Sequence, residues 1–569
     1  MTDNEHTKYK TIPISENTTA KGTLIGQGGF GKVYKVTNDD NSFAIKLTNI
    51  FDREGNLIGQ NLKEISLSFH CLNHHNIVKC TNVSVHEKYE LVNSKYVMNM
   101  NIADFSFNEL IHSKLSNTDR LIFFYPLLKH IVNGISYIHS NYISHGDIKP
   151  ENILLYGDSK LLNNNWKSNA ENIKEYLKTS TLKICDFGGI NLEYNNTMDR
   201  TSTLHYRPPE LFIKMNNKYR KTVKDIYGPF NDVWSIAITM LEFLTKTNII
   251  EKLYKKGLKI NEKEFLSRYF HCMKTLDIYT LLKNSGYDIE NVFVKNIANI
   301  LQLMLNKTIH ERINIYNLSI YINYYINKFS DIYKDKNLYS EMLFEPIPLI
   351  NNNIQYINTI NKDVINIDYR KYSIDQLYKF MNIDEYSDPN DNQYFPLGLL
   401  LFDRLISKKI LTNDNSSTLQ YMYTKTLLEC YYIASRFLLS DIDIIYFIEF
   451  LNIDIDEIHL DILEILKQLN YDIYRPTILT FINNQNNDIY HSQYIMDASI
   501  STFCDNLTIN TDYNNTVTFI QKMIEFDSNV FGNILNTTIN EIKEPENNDD
   551  NIITDQLYIP LLKRDDYSK

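Results

Sequence analysis

The 569-residue sequence predicts an α+β architecture in which a small β-rich lobe precedes a larger helical lobe, with an all-helical region behind both. Three patterns carry this reading. Two β-type runs, Leu24 to Val36 and Ser42 to Leu47, flank Asn38-Asp39-Asp40-Asn41, residues that suit a tight hairpin turn. Helical spacing of apolar residues dominates from Leu121 onward. After a stretch of weak periodicity, helical spacing returns from about Ser373 to Phe481.

Taken in order, residues 1–19 form a polar leader without an apolar segment. After the hairpin, helical spacing runs from Leu57 to Leu72, and strand-like runs follow near Val83 and at Tyr96 to Met100. Two polar inserts, Tyr156 to Ser180 and Lys214 to Phe230, are expected as surface loops. Pro346, Pro348 and Asn351-Asn352-Asn353 mark a linker at 331–372. The tail beyond Asn540, with Glu541, Glu544, Glu546, Asp549 and Asp550, is expected to be mobile.

Composition narrows the function. Hydrophobic residues make up 43% and charged residues 22%, which suits folded domains. A net charge of -11 repels a phosphate backbone or an anionic lipid surface, so neither nucleic acid nor membrane is an expected partner. The six cysteines, Cys71, Cys80, Cys185, Cys272, Cys430 and Cys504, form no CxxC pair and are expected to be reduced. Without a run of about 18 uninterrupted apolar residues, a soluble intracellular monomer is expected.

The motifs point to phosphate chemistry. Gly26-Gln27-Gly28-Gly29-Phe30-Gly31-Lys32-Val33 fits G-x-G-x-x-G-x-V, where missing side chains let backbone N–H groups approach phosphates. By itself the string also fits a glycine-rich hairpin with no ligand. Phe43-Ala44-Ile45-Lys46 follows on the next strand, and Glu64 lies 18 positions beyond Lys46 in a helical run, a separation at which a Lys and a Glu are usually unrelated surface charges. His145-Gly146-Asp147-Ile148-Lys149-Pro150-Glu151-Asn152 and Asp186-Phe187-Gly188 come next, and Thr203-Leu204-His205-Tyr206-Arg207-Pro208-Pro209-Glu210 after them.

In this order the motifs resemble those of protein kinases, and Asp232-Val233-Trp234-Ser235 and Met304 to Ile313 resemble later parts of the same fold. The resemblance implies an α+β bilobal protein kinase fold over residues 20–330, with an N-lobe of about 20–101 and a C-lobe of about 102–330. It implies ATP and Mg²⁺ as cofactors and a protein Ser or Thr as acceptor. Asp147 would accept the hydroxyl proton, Lys149 would stabilise the transferring group, and Asn152 and Asp186 would hold metal. Lys46 and Glu64 would orient the phosphates, Thr203 would bridge Asp147 and Lys149, and Glu210 would pair with Arg312. Ile25, the glycine loop through Val33, and Ala44 would surround the nucleotide. Met98 would sit beside the adenine, Asn99 to Asn101 would form the hinge, and Asp104 would meet the ribose. The stretch from Asn152 to Asp186 is about 20 residues longer than the family pattern, which the first polar insert absorbs.

Leu62-Lys63-Glu64-Ile65-Ser66-Leu67 and Leu72-Asn73-His74-His75-Asn76-Ile77-Val78-Lys79 are similar to the cyclin-contacting region of cyclin-dependent kinases. Two regulatory features of that family are missing. Gly29 and Phe30 replace a phosphorylatable Thr-Tyr, while Gly146 replaces the arginine that grips an activation-loop phosphate and Met198 stands at the acceptor position. Thr197 and Thr201 remain modifiable. Activation is therefore expected from elsewhere.

Residues 373–484 suggest the source. Phe395 to Ser407, with Asp403-Arg404 inside it, resembles a cyclin-box helix, and Tyr423 to Phe437 resembles the central one. Leu427, Cys430, Tyr431, Ala434 and Phe437 give the stripe of a buried helix, a stripe equally expected in an unrelated bundle. Glu457 to Asn470 with Tyr471 to Thr477 resembles the closing helix. Met422 and Leu439 occupy the kinase-contacting Lys and Glu positions, implying an altered contact surface, and no Trp-containing docking helix stands near 370–390. The implied all-α cyclin-like domain would be an intramolecular partner. A flexible linker of about 40 residues spans roughly 35 Å, which allows docking within the chain. Residues 485–569 are expected to add a helical extension before the acidic tail.

A serine/threonine kinase activated in cis is the leading function. A weakly catalytic scaffold recruiting partners through the helical domain is the alternative, and a third reading makes that domain a substrate adaptor. A fused activator, absent phosphorylation brakes and an A+T-rich coding bias, with 41 Tyr, would suit a large DNA virus.

Overall fold

The computed structural model describes residues 9–28, 31–38, 41–141, 143–162, 165–192, 203–211, 228–250, 262–329, 367–381, 391–408, 416–438 and 442–473. Gly29, Phe30, Thr197, Met198, Thr201, Leu439, most of the second polar insert, the linker up to residue 366 and everything from Tyr474 onward lie outside the described residues. All described elements belong to one compact unit, Met1–Asn510.

The first lobe is a six-stranded sheet in the order β1-β2-β3-β4-β6-β5. Its strands are β1 (Lys10–Pro13), β2 (Thr19–Gly28), β3 (Gly31–Asn38), β4 (Asn41–Asn49), β5 (Cys80–His86) and β6 (Lys95–Asn101). The expected hairpin is present, with Asn38 opposite Asn41. The polar leader is corrected: Lys10–Pro13 adds an antiparallel edge strand to β2, with Ile12 opposite Ala20. Ile12 is buried, and a Cβ on Gly22 would come within 2.7 Å of its Cδ1. Ile12 and Ile14, two isoleucines either side of a proline in a mainly polar leader, are too short a pattern to mark a strand.

The expected Leu57 to Leu72 helix is split. Helix α1 (Gly59–Ser66) runs into a π turn, Leu67–Cys71, which Leu72 N–H closes by donating to Leu67 O at 2.9 Å.

In the second lobe, β7 (Phe105–Ser106) and α2 (Phe107–Ile111) lead to α3 (Asn117–Ser140), whose start is fixed by reciprocal Ser116 and Asp119 caps. By length and composition α3 could span a bilayer, yet 72% of its apolar window is buried inside the protein. The buried Arg120 guanidinium donates to Phe243 O at 2.6 Å and Ile111 O at 2.8 Å. Two short ladders follow: β9 (Ile153–Tyr156) lies between β10 (Thr181–Ile184) and β7, and β8 (Ile143–Ser144) pairs with β11 (Asn191–Leu192).

The first insert is also corrected. In place of a loop, Ala170–Thr179 forms α4, capped by Asn169, with Ile173, Tyr176 and Leu177 buried. That i, i+3, i+4 triplet is a short amphipathic stripe masked by the surrounding Asn and Lys. The rest of the lobe is α5 (Pro229–Thr245), α6 (Glu262–Thr275), α7 (Ile278–Asn284), α8 (Val292–Met304) and α9 (Ile315–Lys328).

The C-terminal helices are α10 (Ile367–Met381), α11 (Asp391–Lys408), α12 (Ser416–Phe437), α13 (Ile444–Leu451) and α14 (Ile455–Gln468). The expected stripe on α12, Leu427 through Phe437, is buried. Gly398 of α11 lets the two helices close, since its Cβ would stand 2.8 Å from Tyr431 Cα. Helix α10 begins inside the expected linker, six residues before Ser373. Arg370 explains why: its Nε and Nη2 donate to Asp403 Oδ1 and Oδ2 at 2.8 and 2.9 Å, both side chains being buried. An ion pair across 33 residues leaves no local trace in the sequence.

Arg370→Ala strands the Asp403 carboxylate in this interior and is expected to destabilise the helical layer by about 3–5 kcal/mol. Arg370→Met combined with Asp403→Leu removes both charges and should cost far less, which thermal unfolding of the full chain monitored by circular dichroism measures.

Candidate active site

The cleft between the sheet and the helical lobe holds most of the motif residues. Ile25, Gly26, Gln27, Gly28, Gly31, Val33, Ala44, Lys46, Asn101 and Asp104 line it. Gly31, at φ 149°, must be glycine, because a Cβ there would stand 2.5 Å from Leu47 O. Lys32, Met98 and Asn99 are not among the lining residues. Strand alternation explains two of the three. Lys32 is exposed beside Val33, and Asn99 lies between Met98 and Met100, its carbonyl accepting from Thr81 Oγ1–H at 3.0 Å. Met98 pairs with Lys46 across β4 and β6 but is buried in the core behind the cleft. Met100, inside the expected hinge, lines the wall, and so does Val78, to which the resemblance gave no place in the cleft.

Lys46, on β4, reaches two carboxylates. Its Nζ–H donates to Glu64 Oε1 from α1 and to Asp186 Oδ1 at 2.8 Å. Burial alone lowers the Lys46 ammonium, but Glu64 and Asp186 outweigh it and hold the group well above its ordinary value. Glu64 is pushed up to about 7 by burial, against the pull of Lys46. Its Oε2 is buried with no hydrogen-bond partner among the described residues, which is the cost that burial imposes. Asp186 is held below its ordinary value: burial opposes the charge, and the Lys46 ammonium overcomes it. Its backbone lies in the left-handed region at φ 66°, a strain that the ion pair and the buried Phe187 beside it hold in place.

The second cluster centres on Asp147. Oδ1 accepts from Thr203 N–H at 2.7 Å, and Oδ2 accepts from Lys149 Nζ at 2.6 Å. Lys149 Nζ also donates to Thr203 Oγ1 at 2.9 Å, so the three expected partners meet. Asn152 Nδ2–H donates to Asp147 O at 2.9 Å, which leaves its amide oxygen for another partner. Beneath them, Asp232 at the start of α5 accepts from His145 N–H at 2.8 Å, Gly146 N–H at 2.9 Å and His139 Nε2–H at 2.8 Å. Asp232 is fully buried, yet these donors outweigh burial and hold its carboxyl below the ordinary value. Its anchoring role was not anticipated, since 86 residues separate it from Gly146. Gly146 sits at φ 76°, where a side chain costs about 1–2 kcal/mol. Glu210 and Arg312 pair as expected, in two bonds of 2.7 and 3.0 Å, with the guanidinium 4.9 Å from the Trp234 ring centre.

The donor set suits a hard divalent cation shared with a ligand. An ionised Asp186 and the amide oxygen of Asn152 are oxygen donors, and no cluster of three His, Cys, Asp or Glu exists among the described residues to hold a metal alone. Phosphate oxygens would complete the coordination.

Comparison with known proteins agrees with this geometry. The protein kinase domain family matches residues 19–320. The chain is 29% identical over 239 residues to mitogen-activated protein kinase spm1 of Schizosaccharomyces pombe, covering 40% of this chain and 48% of that one. It is 28% identical over 243 residues to mitogen-activated protein kinase 13 of Arabidopsis thaliana, covering 42% and 57%. A protein named probable cell division protein kinase from Encephalitozoon cuniculi is 27% identical over 252 residues, covering 43% and 77%. The chain thus spans about half the length of the first two of these relatives.

Asp232→Asn places an amide where three donors converge and is expected to cost about 2–4 kcal/mol at neutral pH. Because folding depresses this carboxyl below its usual 3.8, its stabilisation is full above that value and lost as pH falls through the lower folded one. The gap between wild type and variant in denaturant titrations should therefore shrink only below about pH 4.

Proposed function

The chain belongs to the protein kinase family, and on that premise we propose that it transfers the γ-phosphoryl group of ATP to serine or threonine hydroxyls of protein substrates, with its C-terminal helices serving as a cyclin-like activator in cis. The observation that carries this reading is that the cleft lined by Lys46, Glu64 and Asp186 is also lined by Lys149 and Thr203, which together hold the buried Asp147.

The chemistry follows from the side chains. Lys46 would hold the α- and β-phosphates, and Glu64 holds Lys46. Asp147 would orient the acceptor hydroxyl and take its proton as the oxygen bonds to the γ-phosphorus. The bond from that phosphorus to the β,γ-bridging oxygen breaks, and ADP leaves with the electron pair. Lys149 would neutralise charge on the moving group, and its bond to Thr203 keeps it beside Asp147. Mg²⁺ held by Asp186 and Asn152 would supply charge neutralisation at the phosphates.

Support for activation in cis comes from how α1 is held. Leu57 N–H donates to Tyr432 Oη at 3.0 Å, and Arg436 Nε–H donates to Leu57 O at 2.8 Å. Asn56 Oδ1 accepts from Ile444 N–H at 2.8 Å, and His459 Nε2–H donates to Gly55 O at 2.7 Å while stacking on Phe51. At the far end, Ile473 N–H donates to Ser66 Oγ at 3.0 Å. The C-terminal helices therefore grip both ends of the helix that carries Glu64. Tyr432 and Arg436 thus hold the N–H and the C=O of a single residue, Leu57, through a phenol and a guanidinium.

Asp147→Asn is expected to lower kcat for a protein substrate by about a thousandfold without loss of ATP binding, read by radiolabelled phosphate transfer. Arg436→Ala with Tyr432→Phe should lower kcat by about tenfold through loosening of Glu64. An unchanged kcat in that double variant, or full activity of residues 1–335 alone, would discard the activator role and leave the kinase assignment standing.

A further inference from the structure

The insert between β9 and β10 reaches back to the mouth of the cleft. Asp104, which lines the cleft beyond β6, accepts two hydrogen bonds on one oxygen: Gly157 N–H donates to Oδ2 at 2.8 Å and Tyr176 Oη–H at 2.6 Å. Both donors belong to the insert. The same segment stacks Trp166 on Phe105 with ring centres 4.0 Å apart, and Tyr176 lies 5.1 Å from the same ring. Tyr156, just ahead of it, donates from Oη to Asn101 O at 3.2 Å. Asp104 Oδ1 makes no hydrogen bond among the described residues.

A carboxylate at the rim of a wet cleft ordinarily rotates between solvent and ligand. Two fixed donors on one oxygen set the plane of the group and leave the other oxygen as a pre-oriented acceptor. Tyr176 is a dependable donor, because burial first and the Asp104 carboxylate second hold its phenol well above the ordinary value. We propose that Tyr176 is a positioning residue for the nucleotide sugar: by occupying Oδ2 it turns Oδ1 of Asp104 toward a ribose hydroxyl, and so makes the cleft select for an intact ribose. This rests on the reading of the cleft as an ATP site. The insert then contributes to nucleotide recognition from a segment that the catalytic motifs do not include.

The test uses the full chain, ATP and 2′,3′-dideoxy-ATP, with binding measured by displacement of a fluorescent nucleotide and KM and kcat measured for ATP. Wild type should bind ATP about tenfold more tightly than the dideoxy analogue. Tyr176→Phe keeps the buried ring and removes only the hydroxyl. It should shrink that preference to about twofold by weakening ATP alone, with the effect falling on KM rather than kcat. Asp104→Ala should abolish the preference, and adding Tyr176→Phe in that background should change nothing further. An unchanged preference in Tyr176→Phe, equal weakening of both nucleotides, or a wild type without preference would overturn the proposal. The two readings fail separately: sugar-selective binding without phosphate transfer discards the kinase reading and keeps this one, while transfer without sugar selectivity does the reverse.

Discussion

The buried pair of Lys46 and Glu64 is the interaction on which the rest of the structure depends. Both side chains are almost wholly withdrawn from water, so the pair persists only while α1 presents Glu64 at the right depth. With eight residues, α1 cannot hold that position by its own hydrogen bonds. Its place is decided by what surrounds it. The following segment is tied to the helical lobe, where Asn76 Nδ2–H donates to His130 Nδ1 at 2.8 Å and Ile184 N–H donates to Asn76 O at 2.9 Å. The preceding segment and the last residue of α1 are tied to the C-terminal helices. One charged contact thus reports on the packing of three parts of the chain.

The helical lobe solves a different problem, which is to hold rigid the loop that carries the buried Asp147. The solution is a buried carboxylate under the loop. Asp232 draws the backbone N–H groups of His145 and Gly146 toward α5, and His139 on α3 completes its shell. At Gly146 the chain takes a left-handed conformation, and glycine does so without the steric cost of a side chain. A phosphate on the activation loop would find no guanidinium at that position. The loop is held from below by Asp232 and from the side by Lys149 and Thr203, contacts that need no modification.

Much of this site was legible because its parts are contiguous strings: the glycine loop, the catalytic loop around Asp147, and Asp186 with its neighbours. The hairpin and the buried stripe of α12 were legible because they obey short periods. What escaped notice lacked either property. Ile12 and Ile14 are an isolated pair of isoleucines in a mainly polar leader, the α4 stripe is three residues in an Asn-rich insert, and Met98 stands beside the nucleotide by resemblance while packing draws it behind the wall.

Sequence alone determined which residue types stand in which order, and hence the side chains available: a glycine-rich strand pair, an ammonium with its carboxylate partner, and an acid with an amide and a second carboxylate in the following segments. Tertiary structure alone decided the pairings between distant positions, among them Asp232 with His145, Arg370 with Asp403, Tyr176 with Asp104 and Tyr432 with Leu57. The physical reason is that hydrogen bonds and ion pairs act over about 3 Å regardless of chain separation, whereas motif and period are properties of neighbours along the chain.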